Sequence, residues 1–343
     1  MVSHRRSTQP GVNRSVRVTV LSAAAATAAA TLGAAAAHAD PKGTSRTAGA
    51  EIDRLYREAE RATEQYNKAV EDADRLRGEL NRAQERAALG QERINRMRMA
   101  IGSAAAAQYR SGGIDPSLAL LLSADPDSYL DRAATLDRLN ARQTTALHEL
   151  QHARRGLAQV RAEAARSLAC LERDKAAAAR HKRTVEGKLR QARQLLASLP
   201  AADRAAFDHA SRSGRDTSFS ALAGLPAGSS RAAAAVMAVR RAVGLPYIWG
   251  ANGPAGFDCS GLMQWAYAQA GVSLPRTSQT QRYAGHMVPL SEARPGDLVA
   301  YRSDASHIGM YVGNGQVIHA PHPGAPVRYD PVGMMPVSSV TRV

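Results

Sequence analysis

From Ile52 onward, apolar residues recur at alternating steps of three and four: Ile52, Leu55, Ala59, Ala62, Tyr66, Ala69, Ala73, Leu76, Leu80, Ala83 and Ala87, then Ile94, Met97 and Ile101. Charged residues fill most of the positions between them. A 3.5-residue period held this long predicts a coiled-coil helix, with its seam on a partner helix and its charged faces in water. A second stripe runs from Leu136 through Leu150, Leu157 and Leu171, weakens at Asp174 and His181, and resumes in shifted phase at Val185, Leu189, Ala192 and Leu196. Such a slip predicts a local change of winding. Between the stripes, YRSGGIDPSLALLLSADPDSYL carries Gly112-Gly113, Asp115-Pro116 and Asp125-Pro126, which break the helix around a short apolar segment. Two long helices joined this way are expected to fold back as an antiparallel hairpin over residues 40–199. Its tip, Leu118 to Leu122, is either a cap packed on the hairpin end or an exposed docking patch.

Residues 200–230 lose the periodicity and gain serine, glycine and proline, the composition of a flexible linker with a single helical turn. Residues 231–343 change character again. A helix is expected over 231–243, then a Gly/Pro loop, then a helix from Cys259 to about Ala270, capped by Asp258 and stopped by Gly271. GDLVAYR, HIGMYVGNG and QVIHAP read as strands, with Gly313-Asn314-Gly315 as a hairpin turn, and PVRYD and PVSSVTRV complete a small sheet. Helices followed by an antiparallel sheet make this half α+β.

The N-terminus adds a different pattern. VTVLSAAAATAAATLGAAAA, residues 18–37, follows Arg5, Arg6, Arg14 and Arg17 and precedes Ala37-His38-Ala39. A basic segment, an apolar run and a small-x-small site are the layout of a secretory signal peptide over residues 1–39. The other reading is a membrane anchor of about 20 residues. The formal net charge is +15, and removing four arginines leaves 15 − 4 = +11 on the remainder. A basic exported chain is suited to anionic wall polymers or lipid head groups rather than nucleic acid, so the expected location is secreted and wall-associated.

Only Cys170 and Cys259 are present, too few for the disulfide framework of a small exported domain. Cys170 lies on the second stripe beside Leu171 and reads as a small packing residue. Cys259, in FDCSG, falls at the first helical position, where free amides and the helix dipole favour a thiolate and could hold an oxyanion. The Asp258 carboxylate opposes this, so a base is still needed, and imidazole is the usual one. His307 begins one predicted strand and His319 ends the next; His322 lies in a proline-flanked loop. The residues alone leave open whether any of these is a base or an ordinary histidine. No metal-ligand spacing is present, His319-Ala-Pro-His322 lacking the helical frame of a paired-histidine zinc site, and no cofactor is expected.

YIWGANGPAGFDCSGLMQWAYAQAGVSLPRTSQTQ followed by RPGDLVAYRSDASHIGMYVGNGQVIHAP resembles the NlpC family of papain-like peptidoglycan endopeptidases over about residues 233–343. The resemblance implies a papain-like domain in which Cys259 is the nucleophile, His307 the general base and His319 the residue that orients it. It also implies substrate contacts for Tyr247, Asp258 and Ser260, and a helix-start role for Arg276, Thr277 and Ser278. Ala251 departs from the family, where a second glycine after Trp-Gly is common. The implied reaction cuts the peptidoglycan stem peptide, usually between γ-D-glutamate and the following diamino acid. The alternatives are a cysteine amidase cutting between glycan and stem peptide, and an inert coiled-coil wall-binding scaffold. The hairpin is similar to those of secreted actinobacterial and firmicute hydrolases, which implies restraint of the enzyme and docking of the tip to an FtsEX-type membrane division complex.

Overall fold

The computed structural model describes residues 41–110, 116–121, 129–205 and 229–343. The proposed signal peptide, most of the linker and part of the hairpin tip, including Leu122, lie outside the described residues. Among the described residues no helix is long and apolar enough to cross a membrane.

Helix α1 spans Pro41–Arg110 and α3 spans Tyr129–Ser198, 70 residues each, or about 105 Å at 1.5 Å per residue. The short α2, Pro116–Leu121, lies between them. The stripes meet as expected. Ile52, Leu55, Ala59 and Ala62 pack with Val185, Leu189 and Ala192, and further along Ala73 and Leu76 pack with Leu171. Contacts that climb one helix and descend the other make the pair antiparallel; Cys170 packs beside Leu171. At the far end the packing thins: Leu139 and Leu147 are exposed, as are Leu118 and Leu121 of α2. Those two leucines are therefore not buried in a cap.

One expectation about α1 fails. Tyr56, Glu60, Thr63, Glu64 and Asn67 are buried although they lie off the hairpin seam. Their spacing of four, three, one and three places them on one helical face, and that face is covered by the C-terminal domain.

That domain begins with α4, Ser230–Arg241, whose N-cap Ser229 accepts from the Ala232 N–H. Helix α5, Cys259–Gln269, packs beside it over Ala235, Val239, Leu262, Met263 and Ala266. A one-turn helix α6, Ser278–Gln281, follows. The sheet is antiparallel with order β1-β6-β2-β3-β4-β5. Its strands are β1 (His286–Val288), β2 (Leu298–Tyr301), β3 (His307–Gly313), β4 (Gln316–His319), β5 (Arg328–Pro331) and β6 (Val337–Arg342). Strand β1, an edge strand of three residues, carries too short a pattern for its sequence to have announced it. Ile308, Met310, Val312 and Ile318 join the α4–α5 core, while Val299, Tyr301, Val317 and Val340 form a second cluster. The β3–β4 turn has positive φ at both Asn314 (53°) and Gly315 (68°), the type I′ geometry that keeps a hairpin tight. The arrangement is α+β, with the cysteine-bearing helix packed on an antiparallel sheet in the papain-like manner.

Candidate active site

The FDCSG segment is shaped by two requirements. Asp258 is fully buried, and its Oδ1 accepts from the Gly261 N–H at 2.7 Å, capping α5. Its Oδ2 accepts from the Gly250 N–H at 2.9 Å, which ties the preceding loop to the helix start. Gly261 has to be glycine for a separate reason: a Cβ there would lie 2.2 Å from the Ala251 carbonyl oxygen. Cap and close approach together fix Cys259 at the first turn.

The tight β3–β4 hairpin brings the two strand histidines together. His307 Nε2 and His319 Nδ1 are 2.7 Å apart, and His319 Nε2 lies 2.8 Å from Asp330 Oδ2 on β5. Burial lowers the His319 pKa to about 4 against the pull of Asp330. Burial would raise the Asp330 carboxyl, but the hydrogen bond and charge of His319, with Arg328, hold it below its usual value. A neutral His319 therefore donates from Nε2 to Asp330, accepts at Nδ1 from His307 Nε2, and leaves His307 Nδ1 toward the cleft. One donor atom each from Cys259, His307 and Glu60 lie within 4.8 Å of one another. His322, by contrast, points elsewhere and stacks on Tyr56 of α1, ring centroids 4.6 Å apart.

Asp330 was not singled out from the sequence. The only available signal was its place in PVRYD, a strand whose alternation puts Arg328 and Asp330 on one face. Arg276 was assigned a helix-start role, and here it does more. Its guanidinium pairs with both Asp258 oxygens (3.0 and 2.6 Å) and donates to Ser260 Oγ at 2.9 Å. Asp258 is thus a cap and an ion-pair partner at once. The Ser278 N–H also faces this corner, from the start of α6. Tyr247 is buried beside the same groups, and its phenol is pushed well up, first by burial and then by the acidic groups around it, Cys259, Asp258, Glu60 and Glu64.

Helix α1 fills the cleft. Glu60 bonds His307 Nδ1 through one oxygen and Arg302 Nη1 through the other. Glu64 accepts from Ser260 Oγ at 2.7 Å and from the Ser278 N–H at 2.8 Å, with the Cys259 sulfur 3.7 Å away. Asn67 donates to Asp258 Oδ2 at 3.0 Å, and Tyr66 meets Trp249 edge-on. Outside this cluster, Arg61 pairs with Asp304 at 2.7 Å.

The electrostatics of Cys259 differ from the expectation that the helix start favours its thiolate. Cys259 is 1% exposed. Burial, then Glu64, Glu60 and Asp258, push its thiol well above the ordinary value, against a hydrogen bond from the Ile308 backbone. Burial would raise Glu60 too, but His307 and Arg302 outweigh it and hold the carboxyl at about 2. Glu64 goes the other way, raised by burial and by Asp258 despite its hydrogen bonds and Arg276. In this state the thiol is held protonated, and the His307 atom that would accept its proton is engaged by a carboxylate.

The C-terminal domain has known relatives. Residues 244–340 match the model of the NlpC/P60 family. A probable endopeptidase of Corynebacterium glutamicum is 44% identical over 133 residues, 37% of this chain and 63% of that protein. The probable endopeptidase p60 of Listeria monocytogenes is 51% identical over 90 residues, 26% of this chain and 18% of that protein. The chain thus covers less than two thirds of the length of these relatives. Among solved structures, the P60 domain of an M. avium subspecies paratuberculosis antigen is 35% identical, with TM-score 0.31, covering 33% of this chain and 93% of that one. Over residues 244–340 the C-terminal domain is thus similar to the NlpC/P60 family.

Proposed function

We propose that the protein is a peptidoglycan hydrolase, secreted and wall-associated, that cuts an amide bond within the stem peptide by cysteine chemistry. The observation that carries this reading is Cys259 at the start of α5, beside a His307 whose far nitrogen is tied to His319 and Asp330. The probable-endopeptidase relatives support the same class of reaction. In the reaction His307 Nδ1 takes the thiol proton and the Cys259 thiolate attacks the carbonyl carbon. Amides at the helix start hold the oxyanion, and His307 returns the proton to the leaving amine. Water then hydrolyses the thioester. His319 keeps the His307 ring oriented, and Tyr247, Asp258 and Ser260 border the substrate. The preferred bond is the one after γ-D-glutamate.

Because Glu60 engages the base His307 and Glu64 lies against Cys259 and Ser260 where substrate would bind, α1 restrains the enzyme until it is drawn away. The exposed Leu118 and Leu121 of α2 offer a docking surface for an activating membrane complex of the FtsEX type. The direct test is digestion of purified cell wall by the Glu60→Ala, Glu64→Ala chain, with products analysed by mass. Cleaved stem peptides with a new amino terminus on the diamino acid are the expected products. Release of intact stem peptides would mean an amidase, and no products at all would mean a scaffold.

A further inference from the structure

We propose that Glu60, Cys259 and His307 form a Zn²⁺ site that is complete only while α1 lies on the cleft. Thiolate, imidazole and carboxylate are the donor set that zinc prefers. The three residues are buried, and their donor atoms lie within 4.8 Å of one another, so an ion would enter by parting the direct Glu60–His307 contact and drawing in the Cys259 sulfur. The surroundings already orient two ligands. His307 is held through Nε2 by His319, which is held in turn by Asp330, the outer-shell pattern of a metal-bound imidazole. Arg302 holds the second oxygen of Glu60 and leaves the first for the ion.

Binding exchanges protons for metal. The S–H bond of Cys259 and the Nδ1–H bond that now reaches Glu60 break, both protons leave to water, and Zn–S, Zn–N and Zn–O bonds form with no change of oxidation state. Water completes the coordination. Because one ligand comes from α1 and the other two from the catalytic domain, the metal binds the closed state and stabilises it by mass action. Zinc then both blocks the nucleophile and latches the hairpin. No spacing in the sequence points to this site, because its ligands come from three remote segments. The inference rests on the cysteine-peptidase reading above.

The test is Co²⁺ titration of the metal-free full chain, followed by competition with Zn²⁺. The expected result is one tightly bound ion with a thiolate-to-cobalt charge-transfer band. Cys259→Ala should lose the band, and Cys170→Ser should keep it. Glu60→Gln, with its fold checked by circular dichroism, should bind at least about tenfold more weakly, the loss that even an outer-shell partner can cause. Glu64→Gln, which loosens the helix but keeps the ligand set, should bind more tightly than Glu60→Gln. Absence of the band in the wild-type chain overturns the proposal, as does equal affinity of Glu60→Gln with either the wild type or Glu64→Gln. The peptidase reading fails separately: it falls if the metal-free Glu60→Ala, Glu64→Ala chain does not digest cell wall, whatever the cobalt spectrum shows.

Discussion

Cys259→Ala should abolish wall hydrolysis and leave the circular dichroism spectrum unchanged, at a small cost in melting temperature, since it removes one buried sulfur and its hydrogen bond with the Ile308 backbone. Cys170→Ser should retain the wild-type rate. The histidines divide by contact. His307→Ala should lose activity nearly completely because the ring moves the proton in both half-reactions, whereas His319→Ala should lose less. Asp330→Asn should lower kcat with little change in KM, and shift the acid limb of the pH–rate profile, because the residue acts through His319 without touching substrate. A pH profile and KM identical to wild type would reduce Asp330 to a structural partner of Arg328. Gly261→Ala should destabilise the domain by about 1–3 kcal/mol, the usual cost of overpacking, since its Cβ has no room beside the Ala251 carbonyl; thermal denaturation measures this.

Among the elements, the seam of the hairpin and the helix and strands around FDCSG were legible because burial there follows a simple period. Val185, Leu189, Ile52 and Leu55 are apolar and buried, and Ile308, Met310 and Val312 alternate as a strand face does. Glu60, Thr63, Glu64 and Asn67 were not legible. A polar face on a long helix reads as solvated, and nothing local distinguishes it from one that docks on Asp258, Ser260 and His307. Asp330 was hidden for the same reason, its partner lying one strand away. The polar face gives the sharpest prediction at this scale. Removing one partner of a buried charged contact is strongly destabilising, but here the chain can relieve the cost by lifting α1. Glu60→Ala should therefore raise the rate of Cys259 alkylation by iodoacetamide at least about tenfold. His322→Ala, expected to be near neutral if His322 only borders a loop, should instead raise that rate slightly, because it removes the ring stacked on Tyr56.

For the whole molecule, the question is whether the hairpin restrains the enzyme or only positions it. A closed-to-open ratio of about 100 needs only about 3 kcal/mol, and tethering makes closure intramolecular at high effective concentration. The contacts of Glu60, Glu64, Asn67 and Tyr66 with the cleft are enough for that, even after each group recovers its hydration on opening. Opening then requires a partner that binds the open state better, since equal binding to both states shifts nothing. The exposed apolar end of the hairpin lies far from the cleft along α1, so a partner there would have to act through the rigid helix pair. Comparison of residues 40–343 with residues 229–343 on a soluble stem-peptide substrate separates the readings. Restraint predicts a clearly higher kcat/KM for the shorter chain and a matching rise in its alkylation rate, with the Glu60→Ala, Glu64→Ala full chain between the two. Equal kcat/KM for both chains would leave the hairpin as a positioning device, because a small substrate reaches an open cleft equally well with or without it.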